Sequence, residues 1–419
     1  MTDKNLFPYN LAVVAIFKDE GKYLKEWLDY HLLAGVEHFY LYNNDSSDDY
    51  EKILAPYVEN NLVTLKNFPG KLQMYPAYHD AIENFRFECR YMAFIDLDEF
   101  IFPKTNQSVV EVADEIFSKD ERVAGLAINW QVFGSNNLEK ADYSRGVLER
   151  FTSRAPSDWN GFSGDGGNIY RKVISNPRMI YHALNPHYAY YFDEKFAVNT
   201  DAKKVPPMYR NYPIRADKIV VNHYYAKSME EFLKKKMPKG SSCMNAEYVM
   251  EDFLEFDRNE IFDDGILKYR AARAENFSLE SHEERIRRTE KTLIKILTQC
   301  SPFEAPAEFF NGKLETFLTC RALAENFGDN MAEEYSLMQI YQLLSLASNA
   351  TYADLQLLIS VLPDILPRPF KIVKSIVKIL SLKILPAMIE VNKKADPMLV
   401  GNWMAIKELH DLQRLLNSI

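Results

Sequence analysis

The chain has 419 residues, a length that suits two or three domains rather than one. Its 47% hydrophobic and 26% charged residues are the composition of a globular protein with substantial cores, and a formal net charge of −9 argues against a general nucleic-acid binder, whose surface is basic. Four cysteines, Cys89, Cys243, Cys300 and Cys320, lie far apart with no C-x-x-C pair, which fits neither a disulfide framework nor a zinc knuckle and predicts a reducing compartment.

The first residues carry neither a basic segment nor an apolar core, so no signal peptide is expected. No uncharged apolar run reaches the roughly 18 residues of a membrane span. The expected location is the cytoplasm. Residues 11–17 form a continuous apolar run, the pattern of a strand covered on both faces. Lys18-Asp19-Glu20-Gly21 ends it, and Tyr23, Leu24, Trp27, Leu28 and His31 follow on one helical face, with Gly35 as the stop. A strand over 39–42 runs into the turn-forming cluster 43–49, from Asn43 to Asp49. A helix over 50–57, a strand over 62–65 and a helix over 78–86 continue the alternation. This predicts an α/β fold with a mostly parallel sheet flanked by helices.

Tyr91-Met92-Ala93-Phe94-Ile95 reads as a buried strand, although pattern alone also allows a buried helical segment. It ends in Asp96, Asp98 and Glu99. If the strand continues, Asp96 and Asp98 share one face and Glu99 points the other way. Two such carboxylates suit a hard cation, Mg²⁺ or Mn²⁺; the same residues also read as a solvated strand-end turn. Acids and amides thus cluster after three strands, and parallel strands would bring all three clusters to the edge where open α/β sheets bind ligands.

Further strands are expected over 125–130 and 219–223, and a loop over 156–167, which holds Gly161, Gly164, Gly166 and Gly167. Beyond residue 275 glycine thins out and helical periodicity takes over, which predicts an α-helical domain over 276–419 with helices at 283–298, 331–348, 352–362 and 402–416. Residues 366–394 carry seven basic residues against one acid, Glu390. That stretch reads either as an amphipathic helix on an anionic membrane surface or as a helix packing its apolar face inside a helical domain.

The blocks Val14-Ala15-Ile16-Phe17-Lys18-Asp19-Glu20, Trp27-Leu28-Asp29-Tyr30-His31, Tyr42-Asn43-Asn44-Asp45-Ser46-Ser47-Asp48 and Phe94-Ile95-Asp96-Leu97-Asp98-Glu99-Phe100 resemble glycosyltransferase family 92 and its bacterial relatives in the family-2-like group. The likeness continues at Asn129-Trp130-Gln131-Val132-Phe133-Gly134-Ser135, Val147-Leu148-Glu149-Arg150-Phe151, Lys172-Val173-Ile174, Val221-Asn222-His223-Tyr224-Tyr225 and Phe256-Asp257-Arg258-Asn259-Glu260.

The resemblance implies a GT-A-like catalytic domain over 1–275 that moves a hexose, galactose foremost, from a UDP-linked donor to a glycan or lipid-linked acceptor, with inversion. It implies Mn²⁺ or Mg²⁺ held by Asp96, Asp98 and His223, although a lone His at a strand end also serves as a hydrogen-bonded structural residue. Lys18, Asp19, Glu20, Asn43 and Asp45 match nucleotide-facing loops, with Asp45 on the base or ribose. Gln73 and His79 match the donor side, His79 standing where the family pattern suggests Asn. Lys236 and Lys239, in Lys234-Lys235-Lys236-Met237-Pro238-Lys239-Gly240, read either as a solvated basic loop or as a mobile lid whose ammonium groups meet the diphosphate.

Trp130 and Phe133 read as an acceptor platform or as core. The glycine-rich loop matches none of the family's blocks and reads as an acceptor-side element particular to this chain. An inverting transfer needs a carboxylate base; Asp257 is preferred over Asp158, Asp165 and Asp193, and it equally reads as a helix cap. A peripheral contact with the inner face of a membrane through 366–394 would suit a lipid-linked acceptor. Two competing readings stand beside this one. A haloacid-dehalogenase-type phosphatase also ends a strand in D-x-D but has Thr or Val where this chain has Glu99, and a catalytically silent glycan-binding scaffold would not need intact Asp96, Asp98 and His223.

Overall fold

The computed structural model describes residues 3–192, 194–240, 247–275, 277–299, 312–346, 352–386, 414 and 416. Residues 7–191 and 195–288 form one compact unit; the residues described beyond 289, with short segments around 3–6 and 192, form a second.

The first unit is built on a ten-stranded mixed sheet. From one edge its strands run Lys204–Val205, Phe196–Val198, Val123–Val132, Arg171–Ser175, Cys89–Phe94, Tyr9–Phe17, His38–Asn43 and Val63–Asn67. Tyr9–Phe17 lies parallel between His38–Asn43 and Cys89–Phe94, and His38–Asn43 is parallel to Val63–Asn67. Arg171–Ser175 inserts antiparallel between Cys89–Phe94 and Val123–Val132. Ile219–His223 runs parallel to the end of Val123–Val132 and antiparallel to Glu99–Pro103. The central strand is buried along nearly its whole length, which is why its residues are an unbroken apolar run.

Helix Gly21–Ala34 turns back across one face and ends at Gly35, whose φ of +105° closes the last turn. Its buried side also hydrogen-bonds to the strand that follows the acidic cluster: Trp27 Nε1 donates to the Glu99 carbonyl (2.8 Å) and the Tyr30 hydroxyl to that of Ile101 (2.9 Å). On the other face the helix Met74–Phe85 packs Met74, Ala77, Tyr78, Ala81 and Ile82 inward.

Two local expectations change. The strand at 91–95 stops at Phe94, and a new strand begins at Glu99, so Asp96-Leu97-Asp98 is a turn and not a continued strand. The turn closes because Glu99 N–H donates to the Asp96 carbonyl (3.1 Å) while Asp96 N–H donates to Glu99 Oε2 (2.9 Å). The lysine segment is helical rather than a loop. Met229–Glu231 starts it with a Ser228/Glu231 capping box, Phe232–Lys236 is a π-helical turn, and Met237–Lys239 completes it before Gly240 at φ +65°. Residues 156–166 are irregular, as expected of a glycine-rich loop.

In the second unit Lys313–Phe327 and Asn330–Leu346 pack together, with Tyr352–Ser360 and Lys371–Ile379 beside them. Val373, Ile376, Val377 and Leu380 of the basic stretch are buried, so its apolar face is spent on packing within the helical unit. Residues 387–394 of that stretch, and the helix expected at 402–416 except residues 414 and 416, lie outside the described residues. Among the described residues no helix is long and apolar enough to cross a membrane.

Candidate functional site

The loops after Tyr9–Phe17 and Cys89–Phe94, the end of Ile219–His223 and the lysine helix surround a cavity of about 480 Å³. Its wall includes Lys18, Asp19, Glu20, Asp96, Asp98, Trp130, His187, His223, Tyr225, Lys227, Lys235, Lys236 and Lys239.

Asp98 has a cation on one oxygen and an imidazole near the other. Lys236 Nζ is 2.9 Å from Oδ2 and His223 Nε2 is 3.5 Å from Oδ1. Burial acts to raise the Asp98 pKa, but Lys236 and then His223 outweigh it and hold the carboxyl well below the usual range. His223 itself is lowered by burial, with Asp98 opposing. Asp96 faces a different partner: Lys172 Nζ lies 2.7 Å from its Oδ2 and 3.1 Å from Glu99 Oε2. The side chains of Lys172 and Glu99 are 1% and 0% exposed. Burial lowers Lys172, but Asp96 and Glu99 more than offset this and raise it, so it stays charged; burial pushes Glu99 up, to about 8, with Lys172 opposing and Asp96 and Asp98 reinforcing. Lys172 therefore stays charged near neutrality, with the Asp96 carboxyl as its nearer partner.

The loop after the first strand is tied to the 46–47 loop by hydrogen bonds. Asp19, at φ +52°, accepts from Ser47 N–H (2.7 Å) and Oγ (3.1 Å), and its own N–H donates to Ser46 Oγ (2.9 Å). Those bonds to Ser47 keep its pKa low against the upward pull of burial. Lys239 reaches Glu20 at 2.7 Å, and Lys235 donates to the Asp19 carbonyl at 3.2 Å.

The expected site residues thus separate into two groups. Lys18, Asp19, Glu20, Asp96, Asp98, Trp130, His223, Lys236 and Lys239 meet at the cavity. Asn43 does not: it is buried and braces the loop through Tyr50, Asn67 and the Ser46 N–H. Asp45, at φ +56°, accepts from Gly70 N–H, and Gln73 turns back to the Lys71 carbonyl. His79 is half exposed on its helix, paired with Glu83 at 3.0 Å. Phe133 is fully buried against Tyr224, so it is core rather than an acceptor platform. Asp257 ends the helix Met250–Phe256 and accepts from Ser135 N–H and Asn259 Nδ2, both at 2.7 Å, which makes it a brace of the 135–137 loop away from the cavity wall. Asp165 pairs with Arg210, Asp158 is exposed, and Asp193 lies outside the described residues.

Three wall or anchor residues escaped the sequence reading. Lys172 is a charge buried in the strand Arg171–Ser175, directly before the apolar pair Val173-Ile174, and a buried charge there signals a fixed partner. His187 donates from Nδ1 to the Arg171 carbonyl (2.8 Å), and burial, then Lys172, pushes it down to about 3, so its neutral Nε2 is an acceptor. Arg150 meets Glu231 through two bonds of 2.8 and 3.0 Å, each side chain 1% exposed, and so fixes the start of the lysine helix.

Among the described residues no three His, Cys, Asp or Glu groups converge as a ready-made metal cage. The donor set nonetheless fits a hard cation that takes part of its shell from diphosphate and water. Asp98 is held ionised, and the imidazole 3.5 Å away is close enough to share one ion; the Lys236 ammonium already stands at that carboxylate as a cation. Asp96, committed to Lys172, is not brought to the same point.

The sequence profile of glycosyltransferase family 92 matches residues 13–263. A glycosyltransferase family 92 protein of Ricinus communis is 24% identical over 148 residues, 35% of this chain and 27% of that protein. One from Oryza sativa subsp. japonica is 26% identical over 147 residues, 35% of this chain and 25% of its own length. The matched stretch thus spans about a quarter of those relatives. Among solved structures, Staphylococcus aureus TarS 1–349 aligns at 11% identity and a TM-score of 0.29 over 84% of this chain and 88% of its own, and its complex with UDP-GlcNAc aligns equally, over 84% and 89%.

Proposed function

The chain belongs to glycosyltransferase family 92, and from that premise we propose that it transfers a hexose, galactose foremost, from a UDP-linked donor to a hydroxyl of a glycan or lipid-linked acceptor, with inversion. The observation that carries the donor reading is the cavity's pairing of opposite charges. Ionised Asp98 lies beside His223, and six lysines, Lys18, Lys227, Lys234, Lys235, Lys236 and Lys239, line the same cavity. A sugar diphosphate needs that combination, because its phosphate oxygens accept from ammonium groups. The carboxylate would hold a divalent cation.

Asp98 and His223 would hold Mn²⁺ or Mg²⁺. When bound, the ion neutralises charge that develops on the departing nucleotide. Lys235, Lys236 and Lys239 take the diphosphate oxygens. Glu20, once released by Lys239, accepts from hydroxyl or N–H groups of the nucleotide, as only an ionised acid does without donating. Lys172 keeps Asp96 oriented at the cavity edge, and Trp130, whose ring centroid is 4.2 Å from that of His223, gives the sugar an apolar face. Asp257 takes no part in the proton transfer, since its carboxylate is engaged by Ser135 and Asn259.

The test is a panel of nucleotide sugars with Mn²⁺, read by nucleotide release and by thermal shift. Release of UDP from one UDP-hexose supports the reading. No binding and no turnover across the panel would overturn it.

A further inference from the structure

Lys236 is not a loose surface lysine that has drifted onto an acid. Its turn is anchored by Phe232, which is fully buried, and by the Ser228/Glu231 capping box. Glu231 is in turn clamped by Arg150 and by the Tyr23 hydroxyl at 2.8 Å. The ammonium group is enclosed as well: it donates to Asp98 Oδ2 at 2.9 Å and to the Tyr225 carbonyl at 3.1 Å, and it lies 3.3 Å from the centre of the Tyr225 ring. The aromatic face and the carbonyl favour a cation there independently of Asp98. Asp98 therefore has a fixed cation partner built into the fold, on Oδ2, beside the Oδ1 that faces His223 Nε2.

We propose that Lys236 is the resident counter-cation of Asp98 and that it opposes divalent-ion binding until a nucleotide diphosphate draws the ammonium away. A dication shared by Asp98 and His223 meets a fixed positive charge 2.9 Å from the other oxygen of the same carboxylate, and displacing Lys236 without an anion to receive it takes away the ammonium's carboxylate partner. A diphosphate supplies that anion. It also meets Lys239 and Lys235, whose present partners are Glu20 and the Asp19 carbonyl. Nucleotide and metal are then coupled through one side chain, and by linkage each strengthens the other by the same factor. The inference rests on the donor reading above.

The test measures Mn²⁺ binding by electron paramagnetic resonance and calorimetry on the full chain, with and without UDP, for the wild type, Lys236→Met and Lys236→Arg. Without UDP, Lys236→Met binds Mn²⁺ at least tenfold more tightly than the wild type, and Lys236→Arg stays at the wild-type level. UDP tightens Mn²⁺ at least tenfold in the wild type and by a clearly smaller factor in Lys236→Met. Circular dichroism and the melting temperature establish that the variants are folded, and Asp98→Asn added to Lys236→Met removes the gained affinity. Equal or weaker Mn²⁺ binding by folded Lys236→Met, an undiminished UDP effect, or no Mn²⁺ binding to any variant overturns the proposal. UDP titrated into wild type with Mn²⁺, and again in EDTA, keeps the two readings apart. If UDP fails to bind, the donor reading falls; if UDP binds and Lys236→Met leaves Mn²⁺ affinity unchanged, only the counter-cation role falls.

Discussion

Replacing Lys172 by Met removes the one ammonium that faces both Asp96 and Glu99. Its side chain is 1% exposed and contacts the two carboxyls at 2.7 and 3.1 Å. Removing one partner of a buried ion pair costs about 3–5 kcal/mol, because the remaining charge is left desolvated. Two features place the loss near the lower end, about 3 kcal/mol. Glu99 sits at about 8 even beside Lys172, so it is mostly protonated near neutral pH and leaves little charge behind. Asp96 is 31% exposed and can turn toward the cavity. The assay is urea denaturation at pH 7, followed by tryptophan emission and circular dichroism, with the midpoint and slope compared to wild type. Adding Asp96→Asn to Lys172→Met should return most of the lost stability, since the stranded charge is then gone. A loss under about 1 kcal/mol for Lys172→Met, or no recovery in the double variant, would refute the view that this lysine neutralises the acidic turn.

The remaining expectations concern pH and local packing. His31 and His38 are held neutral by burial, each lowered to about 3, and His31 is locked in one tautomer between the Trp27 carbonyl and the Ile101 N–H. A depressed pKa contributes stability that is complete above the unfolded value of about 6.5 and is lost as pH falls toward 3, at about 1.4 kcal/mol per pH unit for each histidine. Urea midpoints at pH 7.5, 6 and 5 should therefore fall steeply, and His38→Gln should flatten the slope; an unchanged slope contradicts the assignment. Glu231→Gln breaks the Arg150 pair and should cost about 3–5 kcal/mol in a denaturant melt while weakening UDP binding by calorimetry, because the lysine helix loses its anchor; wild-type values in both would contradict this. Gly134→Ala would put a Cβ 2.4 Å from the Arg258 carbonyl oxygen, so the melt should show a loss of about 1–3 kcal/mol and shifted contacts at Asn259.

How far the chain's pattern reveals the fold depends on how local the cause is. The run 11–17 is a strand because both faces are buried, and that is written in its residues. Gly35 stops its helix through its own backbone freedom. The acidic turn is less legible. Asp96-Leu97-Asp98-Glu99 fits a strand by alternation, and only the reciprocal bonds between Asp96 and Glu99 show where the strand breaks. The lysine helix was hidden because three consecutive lysines have no amphipathic period, and its order comes from Arg150, 81 residues earlier, acting on Glu231. His187 reaches the cavity wall, and Lys172 reaches Asp96 at the cavity edge, only through long-range pairing, Lys172 on a strand inserted antiparallel into a parallel neighbourhood. Asp257 and Phe133 sat inside blocks like those of the family, yet one is a loop brace and the other is core. Sequence blocks locate a neighbourhood; which of its side chains face the cavity depends on neighbours far along the chain.

We propose above that the cavity around Asp98 binds and cleaves a nucleotide-diphosphate sugar. The most direct measurement is the rate of UDP release from UDP-hexose donors with Mn²⁺, for wild type and Asp98→Asn side by side, with circular dichroism confirming that both are folded. Wild type should release UDP from at least one donor, and Asp98→Asn should fall at least about a hundredfold. Equal rates in the two proteins, or no UDP release by wild type from any donor, would contradict the account.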